Sequence, residues 1–308
     1  MLTKDPTNIK YNEDNIDIIS VKTRFGFYFP KYAPDIKYPE NIVCSFAFQL
    51  MPWLLTSVKS RGFILWGIGS GKDKIGNWMR RIILRRSIMF LAYMPDGRKL
   101  AIESGTPSKY LINSVFANSD KSLFKKGYKL AFMGSLDQRK RLDVLLEAFD
   151  LLVKSDNRWS LEIIGDGAAY DSCFALATSL EIHENVTFHG TVYDDAQKRK
   201  ILSGSLAMVL PGQAGLSVLE SQAMGLPVIT YKNAISGGEI DNIVHRQTGL
   251  LASTLSPIEF ALLIKSLSND PIYAKNISDK AIDHFRSIAS GPRMANRFHH
   301  AATKAFEA

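Results

Sequence analysis

The chain has 308 residues, of which 46% are hydrophobic and 22% charged, so its composition excludes a disordered protein. At roughly 150 residues per domain, this length predicts about two globular domains. The two cysteines, Cys44 and Cys173, are far apart in sequence, which excludes a disulfide framework and a cysteine metal motif and fits a reducing compartment. No stretch reaches the ~18 uninterrupted apolar residues of a membrane span, and residues 1–22 are too polar for a signal peptide.

The net charge of +8 is unevenly distributed along the chain. Residues 1–126 contain 20 lysines and arginines and 10 acids, whereas residues 127–308 contain 18 and 20. The positive field therefore belongs to the first part, and its usual partners are nucleic acid or an anionic membrane surface. Because no nucleic-acid recognition motif or interleaved aromatic run is present, the pattern favours a membrane surface.

The first part is predicted to contain strands at NIDIISVKTRF and NIVCSFAF, followed by a helix at QLMPWLLTSVKS. The stretch GFILWGIGSGK predicts a strand that ends in a glycine-rich loop. It is followed by a basic helix, IGNWMRRIILRRSIMFLAY, that runs into a strand. The next stretch, PSKYLINSVFANSDKSLFKKG, is predicted to contain a helix, a short strand and a polar connection.

The basic helix has two interpretations. Its apolar residues on one side are Ile75, Trp78, Met79, Ile82 and Met89. Three arginines, Arg80, Arg81 and Arg85, lie mostly elsewhere, and Arg86 intrudes on the apolar side. One interpretation is docking on an anionic bilayer. The other is a core-facing helix with solvated arginines.

The second part alternates between predicted strands and helices. The strands are YKLAFMGSL, WSLEIIGDG, NVTFHG, LAMVLPG, PVITYK and TGLLAS, and the intervening segments, such as RLDVLLEAFDLLVKS, have helical periodicity. Such alternation predicts a parallel sheet covered by helices. In parallel sheets ligands bind at the carboxyl ends of the strands, which is where the glycine loops fall.

The stretch LPGQAGLSVLESQAMGLPVIT is the strongest candidate for ligand binding. Its GQAG segment lets the backbone approach a ligand, and the helix that opens near Leu216 and Ser217 favours an anion such as a diphosphate. The carboxylate of Glu220 could accept hydrogen bonds from both hydroxyls of a ribose. The alternative is that Glu220 only complements the helix dipole, while Gly212 and Gly215 only make a turn.

Two further loops carry candidate residues. FMGSLDQRKRLD places Gly134 at a strand end and Lys140 at the start of the next helix, where a lysine can reach a phosphate. The alternative is a solvated basic patch at Arg139–Arg141. The other loop, Gly165–Gly167 in IIGDG, is best explained as a plain Asp-Gly turn when it is taken alone. No GxGxxG follows a strand in the second part and GIGSGK lacks P-loop spacing, so an oxidoreductase or epimerase binding NAD(P) is disfavoured.

Taken in order, these motifs resemble the family-4 retaining glycosyltransferases of GT-B fold. The matching stretches are FMGSLDQRKRLDVLLEAF, LEIIGDG, VTFHGTV, LPGQAGLSVLESQAMGLPVIT and GGEIDNIVHRQTGLL, which cover most of residues 128–252. The resemblance implies an α/β protein with two Rossmann-like domains facing a cleft. Residues 1–126 would form a short acceptor-side domain, 127–292 the donor-binding domain, and 293–308 a helix packing back on the first. The shortness of the first domain leaves truncation or degeneracy open.

The resemblance also assigns roles to residues. Lys140 would bind the diphosphate and Glu220 the ribose, and these two are the predicted catalytic pair. The predicted donor-binding set is Gly134, Ser135, Gly165, Asp166, Gly190, Val192, Gly212, Gln213, Ala214, Gly215, Leu216 and Ser217. The predicted acceptor-side loop contains Gly67, Gly69 and Lys72. Neither a metal nor a cofactor is expected, and the donor would be a UDP- or GDP-linked sugar.

Three residues depart from the family pattern. Gly212 stands where the first acid of the Glu pair would fall, Ser135 replaces a usual arginine, and Ile68 replaces a common histidine. The leading hypothesis is an enzyme of O-antigen, capsule or exopolysaccharide biosynthesis that glycosylates a lipid-linked or polysaccharide acceptor. It would be cytoplasmic and peripheral on the inner face of the membrane, with no nucleic-acid partner. The departures motivate a rival, a catalytically silent partner protein that binds a transferase or a glycan.

Overall fold

The structure, a computed structural model, describes residues 2–3, 19–24, 27–30, 42–45, 63–67 and 74–307. The chain forms two compact units. The first comprises Met1–Leu111 and Asn296–Ala308, and the second comprises Ile112–Ala295. The sequence predicts an acceptor-side domain and a donor-binding domain with boundaries after residues 126 and 292. Those functional boundaries stay a prediction.

The first unit contains two sheets. Strand β1 (Leu2–Thr3) pairs parallel with β2 (Ile19–Arg24), which pairs antiparallel with β3 (Phe27–Pro30). The second sheet is parallel and contains β4 (Ile42–Ser45), β5 (Phe63–Gly67), β6 (Met89–Ala92) and β7 (Ser108–Tyr110) in that spatial order. The predicted strands at NIVCSFAF and GFILWG are therefore confirmed in position. The predicted helix QLMPWLLTSVKS lies outside the described residues.

Helix α1 (Lys74–Leu84) corrects the sequence interpretation of the basic segment. The helix ends at Leu84, so Met89 belongs to strand β6 and not to the helical apolar side. Its buried residues are Gly76, Ile83 and Leu84, whereas Ile75 is 72% and Trp78 62% exposed. The predicted apolar stripe is therefore not the face that packs into the core of this unit.

Helix α2 (Pro95–Glu103) is not predicted from the sequence, and the prediction of a helix in the stretch that follows it is wrong. Pro95 begins α2, where its fixed φ suits the first turn and its missing N–H costs nothing. The predicted helix within residues 107–127 is absent from that described segment, which contains only β7 and irregular backbone.

The second unit is built on a six-stranded parallel sheet. Its strands are β8 (Lys129–Met133), β9 (Ser160–Ile164), β10 (Val186–Phe188), β11 (Ala207–Leu210), β12 (Val228–Tyr231) and β13 (Gly249–Ala252). The spatial order is β10-β9-β8-β11-β12-β13 with every pair parallel. The chain leaves β8 in one direction and returns to its other side at β11. This reversal creates a crevice between β8 and β11, where open parallel sheets bind ligands.

Helices alternate with these strands, as the sequence predicts. They are α3 (Leu142–Val153), α4 (Tyr170–Ser179), α5 (Asp195–Leu202) and α6 (Ser217–Ala223), and two more helices, α7 (Pro257–Asn269) and α8 (Pro271–His284), follow the last strand. Helix α9 (Gly291–Phe306) begins in the second unit, and its residues from Asn296 onward belong to the first. The amphipathic pattern of α3 is confirmed, because Leu145, Leu146 and Phe149 are fully buried. Gly225, with φ of +66°, follows the end of α6 and adopts the left-handed conformation predicted for a C-terminal cap.

Candidate functional site

A pocket of about 340 Å³ lies at the carboxyl ends of the central strands of the second unit. Six residues of its wall were predicted from the sequence: Gly134, Ser135, Gly165, Asp166, Val192 and Glu220. Four were not predicted: Met133, Ile164, Thr191 and Lys198. Met133 and Ile164 are the last residues of β8 and β9, so strand ends form one side of the pocket.

Glycine is required where the loops after β8 and β9 meet. A Cβ atom on Gly165, whose φ is +142°, would lie 1.8 Å from the carbonyl oxygen of Gly134. The amide of Gly165 also donates a hydrogen bond of 2.8 Å to the carbonyl of Gly190, which follows β10. The three predicted glycines therefore pack backbone against backbone; Gly134 and Gly165 line the pocket, whereas Gly190 does not.

Lys140 is held by a short turn that precedes α3. The turn is a 3₁₀ helix, Gln138–Lys140, and the Asp137 carboxylate caps it by accepting from the amide of Arg139. Arg141 then adopts a left-handed conformation with φ of 52° and leads into α3. Lys140 thus lies before the helix rather than at its start, which corrects the sequence prediction.

The ammonium group of Lys140 is buried among small residues. The residue is 8% exposed, and its Nζ donates one hydrogen bond of 3.2 Å to the carbonyl of Gln213. A Cβ atom on Gly134 would lie 3.6 Å from Nζ, and one on Gly215 would lie 3.8 Å from it. Loss of water contact lowers the pKa of Lys140, while the nearby Asp137 and Glu239 carboxylates oppose this effect.

Glu239 is a buried acid that acts electrostatically on this lysine, and its carboxylate is fixed by three donors. Its carboxylate accepts from Asn113 Nδ2 at 2.9 Å, Ser236 Oγ at 2.9 Å and the amide of Gly237 at 2.6 Å. Sequence reasoning did not single out Glu239, although it lies in the quoted stretch GGEIDNIVHRQTGLL. Because these three donors hold the carboxylate in place, its charge acts on Lys140 from a fixed position.

The loop after β11 pairs with the turn that contains Lys140. The amide of Gly212 donates to the carbonyl of Lys140 at 3.1 Å, and the amide of Gln213 donates to the carbonyl of Arg139 at 2.7 Å. The amide of Ala214 donates to the carbonyl of Ile235 at 2.9 Å. These three predicted donor-binding amides are therefore engaged within the protein. Of the predicted cradle, the segment from Gly215 to Ser217 keeps its assignment as a prediction.

Glu220 lies in the pocket beside an unpredicted lysine. Its carboxylate, on α6, is 26% exposed, and the Nζ of Lys198, on α5, lies 3.7 Å from Oε2. The sequence carried one signal for Lys198, since it precedes Ile201 and Leu202 by three and four residues and so shares their side of the helix.

The remaining predicted residues have mixed outcomes. Ser135 lines the pocket, but its hydroxyl donates to Asp137 at 2.8 Å. Gly67 ends strand β5 of the first unit, while Gly69 and Lys72 lie outside the described residues. Among the residues that the structure describes, no cluster of His, Cys, Asp and Glu could hold a metal ion. Within the same residues, no helix is both long and apolar enough to span a membrane.

Two curated relatives align with about half of the chain. An uncharacterized glycosyltransferase of Haemophilus influenzae is 28% identical over 152 residues, which are 48% of this chain and 42% of that protein. The poly(ribitol-phosphate) α-N-acetylglucosaminyltransferase of Staphylococcus aureus is 28% identical over 145 residues, covering 46% of this chain and 28% of that enzyme. The chain thus aligns with less than half the length of each relative.

Two solved structures share the architecture. Anabaena HepE in complex with UDP superposes with a TM-score of 0.70 at 14% identity, covering 86% of this chain and 79% of HepE. The lipopolysaccharide outer core galactosyltransferase WaaB superposes with a TM-score of 0.68 at 17% identity, covering 87% of this chain and 76% of WaaB. At these identities the likeness shows the fold, which is the GT-B fold.

The family assignment follows from the sequence of the second unit. Residues 115–284, more than half of the chain, match the family described as glycosyl transferases group 1. This range includes Lys140, Glu220 and every loop of the pocket. The chain is therefore a member of the group 1 glycosyl transferase family.

Proposed function

We propose that the protein is a retaining glycosyltransferase that takes a sugar from a nucleoside diphosphate. The observation that carries this proposal is the buried ammonium of Lys140, which lies beside the glycine loops at the switch point of the sheet. A buried cation is costly unless an anion compensates it. The only hydrogen bond described for its Nζ is to a neutral carbonyl, so a diphosphate is a fitting further partner.

In the proposed reaction, Lys140 stabilises charge on the departing diphosphate. A positioned cation in a site with little water is effective because it acts where negative charge develops. The acceptor hydroxyl attacks from the face that the diphosphate leaves, and a phosphate oxygen takes its proton. Lys140 does not line the pocket itself but lies behind Gly134, which does, whereas Glu220 lines the pocket directly and would hold the ribose, so the donor would be fixed at two points. No protein nucleophile or resident cofactor is needed.

We also propose an acceptor in surface-glycan assembly, on a lipid carrier or a polysaccharide. Two related names support this class: the Staphylococcus enzyme acts on poly(ribitol-phosphate), and WaaB is a lipopolysaccharide outer core galactosyltransferase. Both acceptors named there are glycans or glycan-like polymers. The proposal for this chain extends from that shared chemistry, with UDP or GDP as the donor nucleotide.

The first unit is proposed to dock on an anionic membrane surface, which corresponds to the cytoplasmic, peripheral location expected from the sequence. Ile75, Trp78 and Ile102 are each more than half exposed on α1 and α2. The basic residues along the two helices include Lys74, Arg80, Arg81, Arg98 and Lys99. Exposed apolar side chains among cations match the interfacial region of an anionic bilayer.

The donor proposal is tested by thermal unfolding with UDP, GDP, ADP and NAD. A ligand that binds only the folded protein adds about 2.7 kcal/mol of stability at a hundredfold excess over Kd. We expect UDP or GDP to raise the Tm by several degrees. Lys140→Met should abolish the shift, because it removes the cation that meets the diphosphate. Lys126→Met, which removes an exposed lysine of the same unit, is the matched control and should leave the shift intact.

One rival function is favoured by a specific observation: Gly212 occupies the place of a family acid and packs so closely that no side chain fits there. This would suit a protein that keeps the fold without turnover. Formation of a glycosylated product by the purified protein would eliminate the rival. If no nucleotide changes the Tm and no product forms, the donor proposal is contradicted.

A further inference from the structure

Three consecutive basic residues of α5 have three different environments. Lys198 lines the pocket, and its side chain is 17% exposed. Arg199 donates to the carbonyls of Asn118 and Lys121 at 3.0 and 2.9 Å. Lys200 is exposed. Because lysine is rarely this buried without a partner, the placement of Lys198 calls for a role that its two neighbours do not share.

We propose that Lys198 is a positioning residue that orients Glu220 toward the ribose hydroxyls of a nucleoside diphosphate. The inference rests on the proposed function, since it concerns the same pocket. It adds a residue that the resemblance does not assign. Lys198 acts through Glu220 and is not itself a catalytic residue.

The distances explain how one lysine can orient a carboxylate without blocking it. Lys198 Nζ lies 3.7 Å from Glu220 Oε2, which is close enough for attraction and too long for a direct hydrogen bond. The carboxylate is therefore oriented while its acceptor positions stay open to ligand hydroxyls. Since Glu220 is 26% exposed, the pair is better shielded from water than an exposed ion pair.

A second carboxylate holds the lysine in this position. Asp195 lies one turn before Lys198 on α5, and its Oδ1 is 3.6 Å from Nζ. The Asp195 side chain is 59% exposed, so it faces the solvent end of the contact. The ammonium thus lies between an outer acid and the pocket acid. This arrangement fixes which side of Glu220 faces the lysine and which side is left for a ligand.

The experiment measures how strongly the pocket prefers a ribose over a deoxyribose. Isothermal titration with UDP and 2′-deoxy-UDP, and with GDP and 2′-deoxy-GDP, gives the ratio of the two Kd values for each base. A hydrogen bond to a charged group predicts a ratio on the order of tenfold or more in the wild type. We expect Lys198→Met to lower this ratio at least threefold, as Glu220→Gln should, and Lys198→Arg to restore it. Lys200→Met is the matched control and should keep the wild-type ratio.

The outcomes separate this inference from the donor site itself. If Lys198→Met weakens both nucleotides equally, the lysine only attracts phosphate, and the inference is overturned. If it lowers the Tm but leaves the ratio unchanged, the role is structural, and the inference is again overturned. Failure of the wild type to bind any of the four nucleotides would contradict the proposed function, and this inference with it.

Discussion

At the scale of one residue, Gly212 lies where the resemblance would place an acid, and its surroundings leave no space for a side chain. A Cβ atom there would lie 2.0 Å from the carbonyl oxygen of Arg139 and 2.6 Å from the carbonyl carbon of Lys140. The same loops are joined by the hydrogen bonds from Gly212 and Gln213. Glycine at this position therefore lets the loop after β11 pack against the Lys140 turn. Any side chain placed there by one substitution would require the two backbones to separate.

We predict that Gly212→Ala destabilises the protein and weakens nucleotide binding together. Overpacking of this kind costs roughly 1–3 kcal/mol, and the displaced backbone is that of the turn holding Lys140. Thermal unfolding with and without UDP or GDP measures both effects. Gly127→Ala is the control, because a Cβ atom on Gly127 meets nothing within 4 Å. An unchanged Tm and nucleotide shift in Gly212→Ala would show that the close contact is dispensable.

Individual site residues could be predicted from sequence where a local pattern carries them. Lys140 and Glu220 follow recognisable loops, and Glu220 does line the pocket. Lys198 could not be assigned, because its place in the pocket depends on where the fold puts α5 relative to Glu220 on α6. The hydrogen bonds donated by the Gly212 and Gln213 amides could not be predicted either, since their acceptors belong to a turn about seventy residues earlier. Contacts between distant loops leave no local pattern.

At the scale of elements, the alternating second part was predicted well and the first part less so. Buried parallel strands such as β11 are continuous apolar runs bounded by glycine, which is a strong signal. Residues 107–127 were misassigned because they have apolar residues at mixed spacing and no capping signal. In α1, apolar spacing identified a helix but not its buried side, since Gly76 is buried while Ile75 and Trp78 are exposed.

We predict that α1 mediates binding to anionic vesicles. Trp78→Glu should reduce flotation with phosphatidylglycerol-rich vesicles severalfold, because it replaces an exposed aromatic ring with a negative charge that the anionic lipid surface repels. Wild-type binding should weaken with added salt, which screens the basic residues. Ile272→Glu is the control: Ile272 is 84% exposed but lies in the second unit. Equal flotation of both variants and wild type would refute a docking role for α1.

At the scale of the whole molecule, the family assignment, the parallel sheets and the pocket support one kind of chemistry. Positive charge at the proposed diphosphate position comes from Lys140, so the proposed reaction needs no divalent cation to stabilise the leaving group. Departure and attack on the same face would preserve the configuration at the anomeric carbon. The independence from a divalent cation and the preserved configuration are both properties of the protein with donor and acceptor bound. One transfer assay can therefore measure both.

We therefore predict that transfer continues at an unchanged rate in EDTA and that the product keeps the anomeric configuration of the donor sugar. The rate is measured as nucleoside diphosphate released, and the configuration as the anomeric proton coupling in the NMR spectrum of the product. Lys140→Met should lower the rate by at least a hundredfold, a loss typical of removing one group that stabilises developing charge. An inverted product would contradict same-face attack, even if Lys140 proved essential. A rate abolished by EDTA and restored by Mg²⁺ would instead show that Lys140 alone does not neutralise the diphosphate.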